Sequence, residues 1–237
     1  MAALGEMAGG VAHEINNPLA IMSAKLEIVK YALEDSNNAT EEISTELQAI
    51  GNQIQRVSGI VKSLLGFARQ GENDELRPIM VRTIVNETLE LTRERCRNKN
   101  VNILVETNAN ADCAVIADHS KTMQVVLNIL NNAIYALEDN CNIPKEIVIN
   151  WTAVDENFVV TTIHDNGSGI KDEVKDKILQ PFFTTKPIGE GTGLGLSLSK
   201  GLVEKMGGEL YFESQPHNTT FFIKLRASQR ANFGKTA

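Results

Sequence analysis

The sequence predicts an α+β protein in two parts: an N-terminal antiparallel helical hairpin that forms a dimeric four-helix bundle, followed by an α/β sandwich. Three observations carry this reading. Apolar residues recur at three- and four-residue spacing through two long N-terminal segments. A short charged stretch, Gln70-Gly71-Glu72-Asn73-Asp74-Glu75, then separates them from the rest. Beyond it, helical and alternating patterns share one region without regular βαβ repetition.

The totals set the frame. At 237 residues, 42% hydrophobic and 22% charged, the chain reads as globular and large enough for one large domain or two small ones. A net charge of −7 and a pI near 5.2 argue against a nucleic-acid partner held through its phosphates, and leave room for a nucleotide bound with a metal ion. Cys96, Cys113 and Cys141 are widely spaced and odd in number, which fits a reducing compartment better than a disulfide framework or a zinc site. No run approaches the ~18 apolar residues of a membrane span, and no signal peptide opens the chain. The expectation is a cytoplasmic fragment with no membrane contact of its own, or the soluble part of something longer.

The first helix carries its stripe at Leu4, Met7, Val11, Ile15, Leu19, Met22, Leu26, Val29 and Leu33. His13 stands two positions from Val11 and from Ile15, roughly 200° round the helix from each, and so points away from the stripe. Glu14 is its neighbour, and Asn17, one turn on, shares its face. Pro18 offers no amide to the carbonyl of Glu14 and should bend the helix just past His13. An outward imidazole beside a carboxylate is either a nucleophile with its base or an ordinary solvated pair. After the polar turn 34–40, a second helix carries Ile43, Leu47, Ile50, Ile54, Val57, Val61, Leu64 and Ala68 in a heptad pattern. Two helices of about thirty residues run roughly 45 Å. So thin a hairpin cannot cover both stripes, whereas a second copy can, which predicts an obligate homodimer. The expected layout is a hairpin over 1–70, a linker over 71–77, the sandwich over 78–228 and a tail over 229–237.

In the sandwich, Val81–Arg97 reads as helix, Val101–Val105 and Ala114–Ala117 as strands, and Ser120–Glu138 as a clear helix. Glu146–Trp151 and Phe158–Asp165 read as a strand pair turning at Asp155-Glu156-Asn157. Leu194–Met206 reads as helix, and Gly208–Phe212 and Thr220–Leu225 as strands.

Three features of this region suit a nucleotide. Gln124, Asn128 and Asn132 recur every four residues on one helix face, and their carbonyl oxygens suit a hard cation such as Mg²⁺, unless they are simply a wet face. Asp165, at a strand end and followed by Gly167 and Gly169, either accepts a proton from the exocyclic amine of a base or is a plain turn. Gly191-Thr192-Gly193-Leu194-Gly195 leads into a helix N-terminus, where uncovered amides favour anions, and Lys186 just before it offers a cation. The run from Asn166 to Thr192 has the length of a lid.

Together these pieces resemble the cytoplasmic core of a two-component sensor histidine kinase, over almost the whole chain. His13-Glu14-Ile15-Asn16-Asn17-Pro18-Leu19 is similar to that family's H-box, and Asn128-Ile129-Leu130-Asn131-Asn132-Ala133 to its N-box. Asp165-Asn166-Gly167-Ser168-Gly169 and Gly191-Thr192-Gly193-Leu194-Gly195-Leu196 are similar to its two glycine boxes. Pro181-Phe182-Phe183-Thr184-Thr185-Lys186 between them is similar to its phenylalanine box. The resemblance implies a Bergerat-type ATP-binding fold behind a dimerisation and phosphotransfer hairpin. It implies that His13 takes the γ-phosphoryl group of ATP, with Glu14 as base or orienting the ring and Asn17 positioning water for a phosphatase reaction. Asn132 would coordinate Mg²⁺ with Asn128 assisting, Asp165 would read the adenine amine, and Gly167 and Gly169 would shape the base pocket. Gly191, Gly193 and Gly195 would close on the phosphates with Lys186, Thr220 would stand near Asp165, and Phe182 and Phe183 would dock on the helical stem. The implied partner is the receiver domain of a response regulator, and the implied setting is the cytoplasm, either alone or as the soluble part of a longer, membrane-anchored sensor. Two departures stand out: Tyr135 and Ala136 occupy the place where a basic residue is common, and Pro216-His217-Asn218-Thr219 lacks the glycines often found there. An ATP-gated conformational clamp and a dimeric scaffold with a dead pocket are the rival readings.

Overall fold

The computed structural model describes residues 15, 18–29, 31, 33, 43–51, 53, 54, 57, 76–106, 113–138, 143–187 and 191–228. His13, Glu14, Asn17, the charged stretch at 70–75, Cys141 and the tail from residue 229 lie outside them. The chain divides into two compact units, Met1–Gly71 with Gln180–Leu194, and Glu72–Leu179 with Gly195–Ala237.

In the first unit the described residues 18–29 form helix α1 and residues 43–51 form helix α2. Lys25 on α1 pairs with Glu46 on α2 at 2.9 Å. Of the predicted stripes Val29 is buried, while Leu19, Leu26, Leu47 and Ile54 each leave about half of their surface open.

The second unit is a layer of helices on a mixed sheet. Strand β1 (Arg77–Met80) pairs antiparallel with β3 (Ala114–Ala117) in a small sheet of its own. A five-stranded sheet takes the order β2-β4-β5-β7-β6, with β2 (Val101–Glu106), β4 (Lys145–Ala153), β5 (Phe158–Asp165), β6 (Glu209–Gln215) and β7 (Asn218–Arg226). Only the β2–β4 pairing is parallel. Ile147, Ile149 and Trp151 on β4, Val159, Thr161, Ile163 and Asp165 on β5, and Thr219, Phe221, Ile223 and Leu225 on β7 alternate onto one buried face.

Against that face lie α3 (Val81–Lys99), α4 (His119–Ala136) and α6 (Gly195–Lys205), with α4 between the other two and over β5. The ends of the helices follow from local chemistry. Helix α3 stops at Asn100, which takes the left-handed conformation (φ 54°) and turns its N–H back to the carbonyls of Arg97 and Cys96. Helix α4 starts where the Asp118 carboxylate accepts the N–H of Lys121 at 2.9 Å, an N-cap. Val125, Ile129, Leu130 and Ile134 on α4 are fully buried, so the helix is seated by its apolar stripe. The predicted turn between β4 and β5 is closed by Asp155, whose Oδ1 accepts the N–H groups of Asn157 and Phe158.

The expected helices and strands of this unit are present, with ends shifted by a few residues. Two elements went unread: β1, whose Arg77-Pro78-Ile79-Met80 has no clean alternation, and the four-residue α5 (Asp172–Lys175), too short to show a period. The Asn166–Thr192 run is also not one free lid. The Ile170 N–H is bonded to Ser214 Oγ at 2.9 Å, and Lys175 Nζ reaches the Ser214 carbonyl at 2.7 Å, so residues 166–175 are fastened to the β6–β7 hairpin.

Replacing the fully buried Ile134 by Ala should cost about 2–5 kcal/mol. Urea unfolding followed through the fluorescence of Trp151, the single tryptophan, buried on β4, measures it directly.

Candidate functional site

Strand β5 delivers Asp165 to the buried face of the sheet, where the carboxylate is only 2% exposed. Burial pushes its pKa up from 3.8 to about 6, and the Gly167 N–H, which donates to Oδ1 at 3.0 Å, pulls the other way. Gly167 has to be glycine. A Cβ there would lie 2.8 Å from the carbonyl oxygen of Ala136 and 2.7 Å from Asp165 Oδ1. Ser168 then gives its N–H to the same Ala136 carbonyl at 3.1 Å, tying the turn to the C-terminal end of α4. Gly169 has φ +77°, and a Cβ would meet the Gln215 carbonyl at 2.4 Å. Asn166 completes the clamp: its side chain accepts the Glu146 N–H and donates to the Pro144 carbonyl.

The register corrects the expectation for Thr220. In the β5–β7 ladder Asp165 stands opposite Thr219, and His164 opposite Thr220. Cross-strand partners share a face and successive residues alternate. Thr220 therefore lies on the other face from Asp165, where its hydroxyl meets His164 Nδ1 at 3.1 Å. The threonine on the face of Asp165 is Thr219, buried and 2.9 Å from Ser214 Oγ. The glycine-free turn before it is made by His217 in the left-handed region, φ 61°.

On α4 the three amides do not form one uniform ladder. Gln124 is exposed, while Asn128 and Asn132 are half-buried. The Asn128 side chain donates from Nδ2 to Ser199 Oγ on α6 at 3.0 Å. It also rests on Gly195, where a Cβ would lie 2.4 Å from Asn128 Oδ1. The N-terminus of α6, the end of a helix that favours anions, thus begins against the N-box. Asn131 accepts a hydrogen bond from Arg95 on α3 at 2.8 Å, so a guanidinium stands beside this helix although Tyr135 and Ala136 offer no cation. From Asn128 to Ala136 is about 12 Å along the helix axis. That length of helix lies between the amide at the α6 N-terminus and the turn that follows Asp165, which suits a ligand with an anion at one end and an aromatic amine at the other.

Gly191, Gly193 and Lys186 belong to the other unit. Gly193 has φ +65° and would meet Phe182 backbone at 2.3 Å if it carried a Cβ, and Phe182 itself has φ 65°. Gly191 packs against Thr184 Oγ1 and Lys186, and the Lys186 N–H is bonded to Thr184 Oγ1 at 3.1 Å. Asn128, Asn132, Asp165, Gly167, Gly169 and Gly195 fall within the second unit. His13, Glu14 and Asn17 lie outside the described residues. Two residues escaped the sequence reading. Thr219 was within reach by alternation from the apolar Phe221 and Ile223, and Ser199 by its place one turn after Gly195.

Comparison with known proteins agrees with this geometry. Residues 3–73 match the His Kinase A (phospho-acceptor) domain, and residues 117–229 match the histidine kinase-, DNA gyrase B- and HSP90-like ATPase. The sensor protein FixL of Bradyrhizobium diazoefficiens is 31% identical over 230 residues, 96% of this chain and 44% of FixL. The signal transduction histidine-protein kinase AtoS of Escherichia coli is 31% identical over 233 residues, 98% of this chain and 36% of AtoS. The chain thus spans less than half the length of either relative. Among solved structures, the catalytic domain of histidine kinase ThkA is 30% identical with a TM-score of 0.58, covering 67% of this chain and 99% of that one. ThkA in complex with the response regulator protein TrrA matches at 29% identity and a TM-score of 0.75, covering 96% of this chain and 63% of that one. With a phospho-acceptor module ahead of an ATPase module of this type, the chain belongs to the sensor histidine kinase family.

Proposed function

We propose that this chain is an ATP-dependent protein-histidine kinase core that phosphorylates itself on His13 and passes the group to an aspartate of a response-regulator receiver domain. The observation that carries the reading is the presence in one chain of a phospho-acceptor module bearing His13 and an ATPase module with a buried carboxylate at the end of β5. Gly167 and Gly169 let the turn pack tightly on Ala136 and Gln215, which holds Asp165 in place at the end of β5.

ATP is the substrate, and Mg²⁺, when bound, neutralises charge on the phosphates. Asp165 accepts a hydrogen bond from the adenine amine in its ionised form, and Thr219 and Gly167 border it. Asn132, with Asn128 assisting, would hold the cation. The first turn of α6 at Gly195 receives the phosphates, and Gly191, Gly193 and Lys186 serve phosphate binding from the segment before it in sequence. His13 attacks the γ-phosphorus with an imidazole nitrogen, Glu14 takes the ring proton, and ADP leaves. Because His13 lies in a different unit from Asn128, Asn132, Asp165 and Gly195, the two must approach for transfer. Asn17 positions water for the reverse traffic, hydrolysis of the phosphoaspartate on the partner. The boundary between hairpin and ATPase module falls at residues 71–77.

The half-open Leu19, Leu26, Leu47 and Ile54 support a homodimer through the N-terminal helices, since a second hairpin covers them. Similarity to ThkA, solved with its response regulator, supports a receiver domain as partner.

Incubation with γ-labelled ATP and Mg²⁺ should give an acid-labile, base-stable label. A wild-type chain without label, or label persisting in His13→Ala, would defeat the reading. Light scattering should give twice the 26.0 kDa of one chain, and Leu26→Glu should shift the mass toward the monomer. Asp165 predicts opposite effects on stability and binding. A carboxyl whose pKa is raised on folding stabilises the fold fully below pH 3.8, and that contribution is lost as pH rises through about 6. At pH 7.5 the ionised Asp165 therefore destabilises the nucleotide-free protein, by on the order of 3 kcal/mol. Asp165→Asn should raise the urea midpoint at that pH and flatten its slope between pH 4 and pH 6, while weakening ATP binding at least about tenfold. In the wild type, ATP affinity should fall as pH drops through about 6.

A further inference from the structure

Asn128 is the N-box amide whose orientation is set from another helix. Its Nδ2 donates to Ser199 Oγ at 3.0 Å, and Ser199 is 2% exposed, so that hydroxyl faces protein and not solvent. An amide has chemically opposite ends, and flipping it exchanges an acceptor for a donor at the same point. The hydroxyl anchors the amide in place, and Oδ1 is the end closer to Gly195: a Cβ there would lie 2.4 Å from Oδ1 and 2.9 Å from Nδ2. Ser199 follows Gly195 by one turn on the same face of α6. Helix α6 thus touches the amide twice, with bare backbone at its first residue and with a hydroxyl one turn later.

We propose that Ser199 is a positioning residue that holds the Asn128 side chain in place, so that its amide is presented to the phosphate end of the nucleotide site. The inference rests on the kinase reading above. Its chemistry is that a hard cation is held by oxygen and repelled by an amide NH₂, and that a group which orients a ligand acts on metal affinity without touching the metal. Ser199 should therefore matter for the metal-dependent part of nucleotide binding and for nothing else.

The test uses the full chain and a fluorescent ATP analogue, titrated in Mg²⁺ and in EDTA, with adenosine as competitor. Ser199→Ala should raise the Kd in Mg²⁺ about tenfold and leave the EDTA and adenosine values unchanged. Ser199→Thr, which keeps the hydroxyl, should restore Mg²⁺-dependent affinity. In an Asn128→Ala background, adding Ser199→Ala should change nothing, because the hydroxyl acts through the amide. Equal loss in Mg²⁺, EDTA and adenosine would mean that Ser199 only packs α6 on α4 and would overturn the inference. So would unchanged Mg²⁺ affinity in Ser199→Ala, or additive losses in the double variant. A wild-type chain that binds no adenine nucleotide would sink the kinase reading itself, whereas normal wild-type binding with an indifferent Ser199→Ala sinks this inference alone.

Discussion

Close approach of backbone to helix α4 is the constraint on which the ATPase unit depends. At one end of that helix Gly167 and Ser168 come against Ala136, and two turns earlier Gly195 comes against the side chain of Asn128. Neither approach tolerates a Cβ, so the glycines here are set by contact distance as well as by torsion angles. The apolar stripe of α4 is sealed under α3, α6 and the sheet, leaving the helix no freedom to retreat. Strand β5 and helix α6 are thereby registered against a common rod. A buried carboxylate and a helix N-terminus are held a fixed distance apart without any direct bond between them.

Asp165 shows what such a site demands of the fold. A carboxylate placed at the end of an inner strand, with one backbone N–H for company, is poorly solvated, and burial raises its pKa well above the ordinary carboxylate value. A fold selected for stability alone would place an apolar residue or an amide there. Its neighbours soften the strain only in part: Thr219 and Ser214 bond each other alongside it, and Gly167 reaches Oδ1. The site is therefore preorganised to gain from a ligand that offers a donor to this carboxylate.

Much of this was legible from the residues. Helices α3, α4 and α6 and most strands of the large sheet follow from period and punctuation, because each has one face in the core and one outside. The glycine boxes stood out because several glycines at short spacing are conspicuous. What stayed hidden has one cause: it depends on partners distant in the chain. Strand β1 owes its pairing to β3, and Arg77-Pro78-Ile79-Met80 alone has no alternation to betray it. Thr219 and Thr220 are chemically identical neighbours, and only the ladder against β5 says which one shares a face with Asp165. Ser199 acquires its meaning from a residue on another helix, 71 positions away in sequence.

The order of strands carries a consequence for how the molecule is made. The last strand, β7, does not sit at the edge of the sheet but between β5 and β6, and it supplies the hydroxyl beside Asp165. A nascent chain leaving the ribosome exposes the flanks of β5 and β6 until residue 226 has emerged, so the sheet closes only once β7 is free to pair with both. Early termination anywhere before that point removes the keystone of the sheet and not a dispensable end. Fragments that stop short of β7 should therefore be cleared by proteolysis and not accumulate.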